Sequence, residues 1–336
     1  MKPTDFSLHI TTYLTHYLAA QRNMSPNTIK AYRDAFVLFL RYCRNDRGIA
    51  IERLQLEQID ATFIDTFLDY LEHERHCSPR TINQRLAILH AFFRYIQSEE
   101  PEYLFQCQKI LAIPYRRYTK PAVGYLSKEL LTELLSQPNL NTRDGRRDAT
   151  LLSLLYDVGA RVQEIVDLSA EDVSLETPAQ VRLFGKGRKM RVVPLMENTV
   201  IIMRDYMHEH RLNHVEYGDR PLFCNRQNNR LTRSGVRYIL DKYIQRVRQA
   251  HPGFKQKVSS HSLRHTKGMH LLQSGVSLDI IRDFLGHADV RTTEIYAKSN
   301  LEMKRRALEK ISGVSPVLKI PSWQENKTLL HWLHSL

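Results

Sequence analysis

Two stretches decide most of what the first third of this chain can become. "SPNTIKAYRDAFVLFLRYC" begins at Ser25, and "SPRTINQRLAILHAFFRYI" begins 53 residues later at Ser78. In each, a serine suited to cap a helix precedes a proline, whose missing N–H and fixed φ are harmless in a first helical turn. Apolar residues then recur at helical spacing: Ile29, Tyr32, Phe36, Phe39 and Cys43 in one, Ile82, Leu86, Leu89, Phe93 and Ile96 in the other. A third amphipathic stretch covers about residues 60–74. One echo does not make a solenoid, which needs several repeats. Residues 1–112 are therefore predicted to form a compact bundle of four or five helices.

Over residues 99–123 the helical period fails. "IPYRRYTKPAVGYL" mixes two prolines with three basic residues and three tyrosines. Residues 113–124 read as an interdomain linker. Its Arg116, Arg117 and Lys120 could lie along a phosphate backbone or be solvated, and the pattern leaves both open.

A second domain is expected over 125–312. Ser127 is placed to cap a helix, and a long apolar helix precedes Gly159, with a short helix after it. "AQVRLFGKGRKMRVVPL" reads as strand, Gly-Lys-Gly turn and strand, ending at Pro194. Helices are predicted near 199–209, 232–250, 261–274, 278–285 and 292–296, with a basic helix at 301–311. The tail, 313–336, places Trp323, Leu329, Leu330, Trp332 and Leu333 on a small apolar face, suited to contact another protomer or to pack in cis. The expected fold is mainly α with a small β-sheet in the second domain.

Charge narrows the partner. The 336 residues carry a net charge of +13. Residues 1–120 hold 16 Lys and Arg against 13 Asp and Glu, while 121–336 hold 33 against 23. Arg outnumbers Lys, and its planar fork suits phosphate better than solubility requires. The balance favours nucleic acid. No run of about 18 apolar residues is present, so no membrane span is expected. "MKPTDFSLHI" lacks the apolar core of a secretory signal. Cys43, Cys77, Cys107 and Cys224 form no CxxC pair, which fits a reduced cytoplasmic protein without a thiolate zinc site.

The densest chemistry lies in "HSLRHTKGMH", from His261. His261 and His265 have zinc-helix spacing. Zinc proteases, however, follow the first histidine with a glutamate, and Ser262 stands there; His287 is the one third ligand on offer. No metal is expected. Beside this stretch stand Arg161 in "GARVQEI", Lys186 between two glycines, His287, and Tyr296 in "FLGHADVRTTEIY". Two guanidinium forks can clamp a phosphodiester without a metal. A lysine can protonate a departing oxygen, imidazoles can move protons, and tyrosine can be a covalent nucleophile.

In order and spacing this set resembles the tyrosine recombinases, or phage integrase family, which includes lambda-type integrases and Xer-type resolvases. The likeness spans nearly the whole chain, since the helical first domain resembles the family's SAM-like core-binding domain. It implies that Tyr296 forms a 3′-phosphotyrosine and frees a 5′-hydroxyl. Arg161 and Arg264 would hold nonbridging oxygens. Lys186, favoured over Lys189 in the same turn, would be the general acid, with Lys189 left as a DNA contact. His261 and His287 would support proton transfer, and Glu164 would steady Arg161. The resemblance further implies no cofactor or ATP. The partners would be double-stranded DNA with an inverted-repeat site, a homotetramer on two sites passing through a Holliday junction, and accessory or partner recombinases in some systems. It places the protein in a prokaryotic cytoplasm, at the nucleoid. The chain departs from the family at Lys267, Gly268 and Met269, where an aromatic and small residues are usual, so packing or DNA contact should change there and chemistry should not. Other readings are a type IB-like topoisomerase, a hairpin-forming resolvase and a non-catalytic architectural DNA-binding protein.

Overall fold

The computed structural model describes residues 3–119, 124–185, 189–213, 218–286 and 329–334. Its chain contacts divide it into two units, at Pro121 and Ala122.

In the first unit, α1 (Asp5–Thr12) runs on as a π-helical segment, Tyr13–Gln21. The long helices α2 (Pro26–Asn45) and α4 (Pro79–Glu99) both start on their Ser-Pro step. The hydroxyls of Ser25 and Ser78 accept the backbone N–H of Thr28 and Thr81 at 3.2 and 3.3 Å. Between them, α3 (Ala61–His73) is capped by Asp60, whose carboxylate accepts the Phe63 N–H at 2.7 Å. The whole apolar stripe expected on α4 is buried. Ile88, Phe92 and Tyr95 are buried as well, so α4 is covered on more than one side and is the central helix. Phe92 sits 5.9, 5.2 and 5.1 Å from the rings of Phe6, Tyr13 and Phe36.

One expectation is corrected here. Within 99–123, where no helix was read, Pro101 opens a 3-10 turn and α5 (Leu104–Leu111) follows it. Only Cys107 and Ile110 of α5 are buried, too few positions for a period to show. Its end is tied to the centre of the bundle. The buried His90 of α4 has Nε2 3.0 Å from the Ile110 carbonyl, so that nitrogen carries the proton and donates it.

The second unit is built around α7 (Arg143–Asp157), which packs on α6 (Lys128–Ser136), α9 (Glu197–Glu209) and α11 (Ser260–Gln273). Leu151, Leu152, Leu154 and Leu155 of α7 are wholly buried. The short α8 (Val162–Asp167) follows α7, while α10 (Arg233–Ala250) and α12 (Leu278–Leu285) flank α11 in sequence. The hairpin forms from β2 (Gln180–Phe184) and β3 (Met190–Pro194), antiparallel with Phe184 opposite Met190. A two-residue strand, β1 (Val173–Ser174), pairs with the other edge of β2. Val181, Leu183 and Val193 face the core, as the period of two requires. A short helix, α13 (Leu329–His334), is the part of the tail that is described. No helix among the described residues is long and apolar enough to cross a membrane.

Candidate active site

The joint after α7 sets the first arginine. Gly159 takes a left-handed φ of +55°, and a Cβ there would lie 2.7 Å from Leu285 Cδ2, so glycine is required twice over. Two residues on, Arg161 caps α8 in an extended conformation. Its backbone N–H donates to Glu164 Oε2 at 2.8 Å, and its Nη1 donates to Oε1 at 2.7 Å. Its Nη2 donates to the Gly286 carbonyl at 3.1 Å.

The second arginine comes from α11. Arg264 is 2% exposed. Its Nη1 donates to the Gly159 carbonyl at 2.7 Å, and its Nη2 to the carbonyl of Leu285. The two guanidinium groups therefore end on consecutive carbonyls, Leu285 and Gly286, where α12 stops. A helix C-terminus has unpaired carbonyls and a partial negative charge, which favours cations at that point. Gly286 closes α12 in the left-handed region, φ +63°.

His261 lies one turn before Arg264 on α11, exposed at the surface. The protein around it, followed by the positive charges of Arg264 and Arg161, holds its pKa below the ordinary histidine value. At neutral pH it is an uncharged imidazole that can accept a proton. The start of α11 is fixed by a reciprocal cap: Ser259 Oγ accepts the Ser262 N–H at 3.2 Å, and Ser262 Oγ accepts the Ser259 N–H at 3.1 Å.

The inward side of α11 is structural. His265, Thr266 and His270 are buried. His270 Nε2 lies 3.0 Å from the Leu126 carbonyl and Nδ1 lies 2.9 Å from the Tyr156 hydroxyl, so Nε2 donates and Nδ1 accepts. Lys267, where the chain departs from the family it resembles, also points inward. Its Nζ lies 3.2 Å from Asp157 Oδ1 and 4.9 Å from the centre of the Tyr156 ring. Asp157 Oδ2 accepts the Met196 N–H at 2.9 Å. The departure is thus taken up in packing. His261 is exposed while His265 is buried, and among the described residues no three His, Cys, Asp or Glu side chains gather to hold a metal ion.

Other expected positions fall differently. Lys186, His287, Tyr296 and Lys120 lie outside the described residues. Lys189 is exposed at the base of the hairpin turn, where its carbonyl accepts the Gly185 N–H at 2.9 Å. Arg117 is exposed. Arg116 is engaged within the first unit: its Nη2 donates to Asp69 at 2.6 Å, and Asn83 bonds both its N–H and its carbonyl at 2.8 Å. Its charge is largely answered there.

Arg191 is a site residue that the sequence reading missed. This inward-facing residue of β3 grips both oxygens of Glu164, Nη1 to Oε1 at 3.0 Å and Nη2 to Oε2 at 2.7 Å. Burial by itself pushes the Glu164 carboxyl upward. The Arg191 fork and the Arg161 N–H and side chain outweigh that and hold it below the usual carboxylate range. A basic residue in the alternating "MRVVP" strand was the available signal. A cavity of about 520 Å³ lies elsewhere, lined by Leu135, Tyr156, Met196, Ile202 and Lys267. It excludes Arg161, His261 and Arg264, and a duplex needs an open cationic face more than an enclosed cleft.

Comparison with known proteins agrees with this geometry. Residues 125–303 match the phage integrase family model, and residues 10–100 match the phage integrase N-terminal SAM-like domain. The chain belongs to the phage integrase family. It is similar to the candidate integrase/recombinase y4rC of Sinorhizobium fredii, 38% identical over 97% of this chain and 96% of that protein. It is 29% identical to the tyrosine recombinase XerC of Oceanobacillus iheyensis over 91% of this chain and 96% of the relative. A structure of the Tn1549 transposon integrase in complex with transposon right end DNA shares the fold, with a TM-score of 0.68 at 16% identity, over 90% of this chain and 99% of that one. This recombinase is an enzyme that cuts and rejoins DNA strands in site-specific recombination.

Proposed function

We propose that Tyr296 attacks the scissile phosphate as the phenolate, forming a 3′-phosphotyrosine and releasing the 5′-oxygen, which takes its proton from Lys186. Arg161 and Arg264 hold the two nonbridging oxygens. His261 and His287 move protons and orient the phosphate, and Glu164 fixes Arg161. The ester energy is conserved in the phosphotyrosine, so a 5′-hydroxyl from a second duplex reverses the step and joins new strands. The observation that carries this reading is the convergence of Arg161 and Arg264 on the consecutive carbonyls of Leu285 and Gly286.

The recombinase would act as a tetramer on two inverted-repeat sites, through a Holliday junction, with the tail that holds α13 reaching a neighbouring protomer. Lys189 and Arg117 would contact the duplex backbone, and Lys120 with them. Partner or accessory recombinases would join in some settings, and the work would take place at a prokaryotic nucleoid, in the cytoplasm. Between movement of a DNA segment and replicon resolution, we favour the former. The candidate integrase/recombinase y4rC aligns over 97% of the chain at 38% identity, against 29% for XerC.

The test is covalent capture. The full chain is incubated with DNA flanking its own gene, and detergent-resistant adducts are sequenced to locate the site. Adducts from the wild type and none from Tyr296→Phe are expected. Adducts that survive Tyr296→Phe would overturn the nucleophile assignment. Relaxation of supercoils without exchange between two captured sites would overturn recombination through a tetramer.

A further inference from the structure

Glu164 is 4% exposed, and two arginines share it. Arg161 takes Oε1 with its side chain and Oε2 with its backbone N–H. Arg191 takes both oxygens from the opposite element, β3. Arg191 then reaches further, since its Nε donates to the Phe284 carbonyl at 3.2 Å. Its guanidinium lies against Gly286, where a Cβ would stand 3.0 Å from Nη1 and 3.3 Å from Cζ. Gly286 is also the carbonyl that Arg161 holds. One side chain thus joins β3, α8 and the end of α12. The base of the hairpin lies beside it as well: a Cβ on Gly185 would be 3.5 Å from Glu164 Oε1 and 3.7 Å from Arg161 Nη1.

Charge gives this arrangement its function. A carboxylate paired with Arg161 alone would cancel the charge that a phosphate needs and would draw the guanidinium inward. With Arg191 answering Glu164 through both oxygens, the charge of Arg161 stays available, and its direction is set by a buried partner held at both oxygens. We propose that Arg191 is a positioning residue for DNA cleavage: it neutralises and anchors Glu164, so that Arg161 meets the scissile phosphate with its full charge. The inference rests on the reading of Arg161 and Arg264 as the phosphate clamp.

The test uses the full chain and a nicked duplex carrying the site recovered by covalent capture, under single-turnover conditions. Misplacing a catalytic group by an ångström costs on the order of 100-fold, so Arg191→Met is expected to form the covalent adduct about that much more slowly while its Kd for the duplex changes less than about threefold. Arg191→Lys keeps the charge and guards against misfolding. One ammonium cannot take both carboxylate oxygens and the Phe284 carbonyl, so a loss of roughly 10-fold or more is expected. A methylphosphonate at the scissile position has one charged oxygen replaced by methyl and asks less of Arg161. On it the deficit of both variants should shrink, whereas a general folding defect would slow both duplexes alike. Adding Glu164→Gln to Arg191→Met should recover part of the rate, because the uncancelled carboxylate is gone. Cleavage by Arg191→Lys at the wild-type rate would overturn the proposal, as would equal deficits on phosphate and methylphosphonate, or no recovery in the double variant. Arg161→Ala and Arg264→Ala run in parallel. If those two cleave normally, the clamp reading itself has failed; if they are inactive and the Arg191 variants are not, only the role of Arg191 has failed.

Discussion

Lys267→Met tests whether the odd residue of "HSLRHTKGMH" is a packing element. The lysine side chain is 12% exposed and that of its partner Asp157 is 6% exposed. Removing one member of a buried ion pair typically costs about 3–5 kcal/mol, because the other charge is left without compensation. The methionine thioether can pack on the Tyr156 and Phe284 rings that the ammonium now faces, and Asp157 keeps the Met196 N–H, so we take the lower end, about 3 kcal/mol. For a unit of this size that corresponds to a fall of roughly 6–12 °C in the transition temperature. Asp157→Asn should cost a similar amount, since it strands the ammonium. The double variant should be more stable than either single one: both buried charges are gone, and the asparagine oxygen can still accept the Met196 N–H. Calorimetry of the full chain reads all four proteins, with Arg117→Ala as an exposed control. If Lys267→Met moves the transition by less than about 1 °C, or the double variant falls by the sum of the singles, the pair is not coupled and Lys267 must serve elsewhere.

Two further outcomes follow from the same joint. Gly159→Ala places a β-carbon 2.7 Å from the wholly buried Leu285 and forces alanine into a left-handed conformation. A loss of about 2–4 kcal/mol by urea denaturation is expected, with cleavage slowed because the Leu285 carbonyl that holds Arg264 is displaced; an unchanged midpoint would contradict this. The second concerns acid. Burial is the main cause that holds His270 below the ordinary histidine value, while Leu126 opposes it. The unfolded chain therefore binds the proton first, so stability is complete above about pH 6.5 and falls as the pH drops through that value towards the lower folded one. His90, His210 and His261 are shifted the same way. His270→Gln should flatten part of the loss between pH 7 and 5 in denaturation curves, and an identical slope would refute its share.

Local rules carried the sequence reading a definite distance. Ser25, Ser78 and Ser127 cap the helices expected of them, because a cap needs only a side-chain oxygen and a backbone N–H three residues away. Periodicity placed Phe93 and Ile96 in the core but passed over Ile88, Phe92 and Tyr95, since a central helix is apolar on several sides and a single stripe undercounts it. Helix α5 was missed because two buried positions make no period. Charge was the least legible feature. Arg116 and Arg117 are neighbours of the same type, yet one is answered by Asp69 and the other is exposed, and that depends on a residue 47 positions away. Arg191 escaped notice for the same reason: its partner is 27 residues distant, on helix α8. Lys267 stood out as unusual, but only the turn of α11 decides that it faces Asp157.

The placement of charge explains why the site spends burial on arginines. Arg264 is nearly inaccessible, and taking a guanidinium out of water is expensive unless its N–H groups find acceptors. Two of the acceptors it finds are carbonyls, at Gly159 and Leu285, and these carry dipoles and no net charge. They orient the guanidinium without cancelling it. Among the described residues, the one carboxylate in the cluster, Glu164, is shared by Arg161 and Arg191. Among the described residues, three arginines against one carboxylate leave an excess of positive charge at the point where the helices α11 and α12 meet the start of α8. A phosphodiester in its ground state carries one negative charge. When a tyrosine phenolate adds to it, a second charge enters the same two nonbridging oxygens. In the clamp proposed above, this positive excess is better matched to the transition state than to the bound duplex, and that difference would lower the barrier where mere tightness of binding would not.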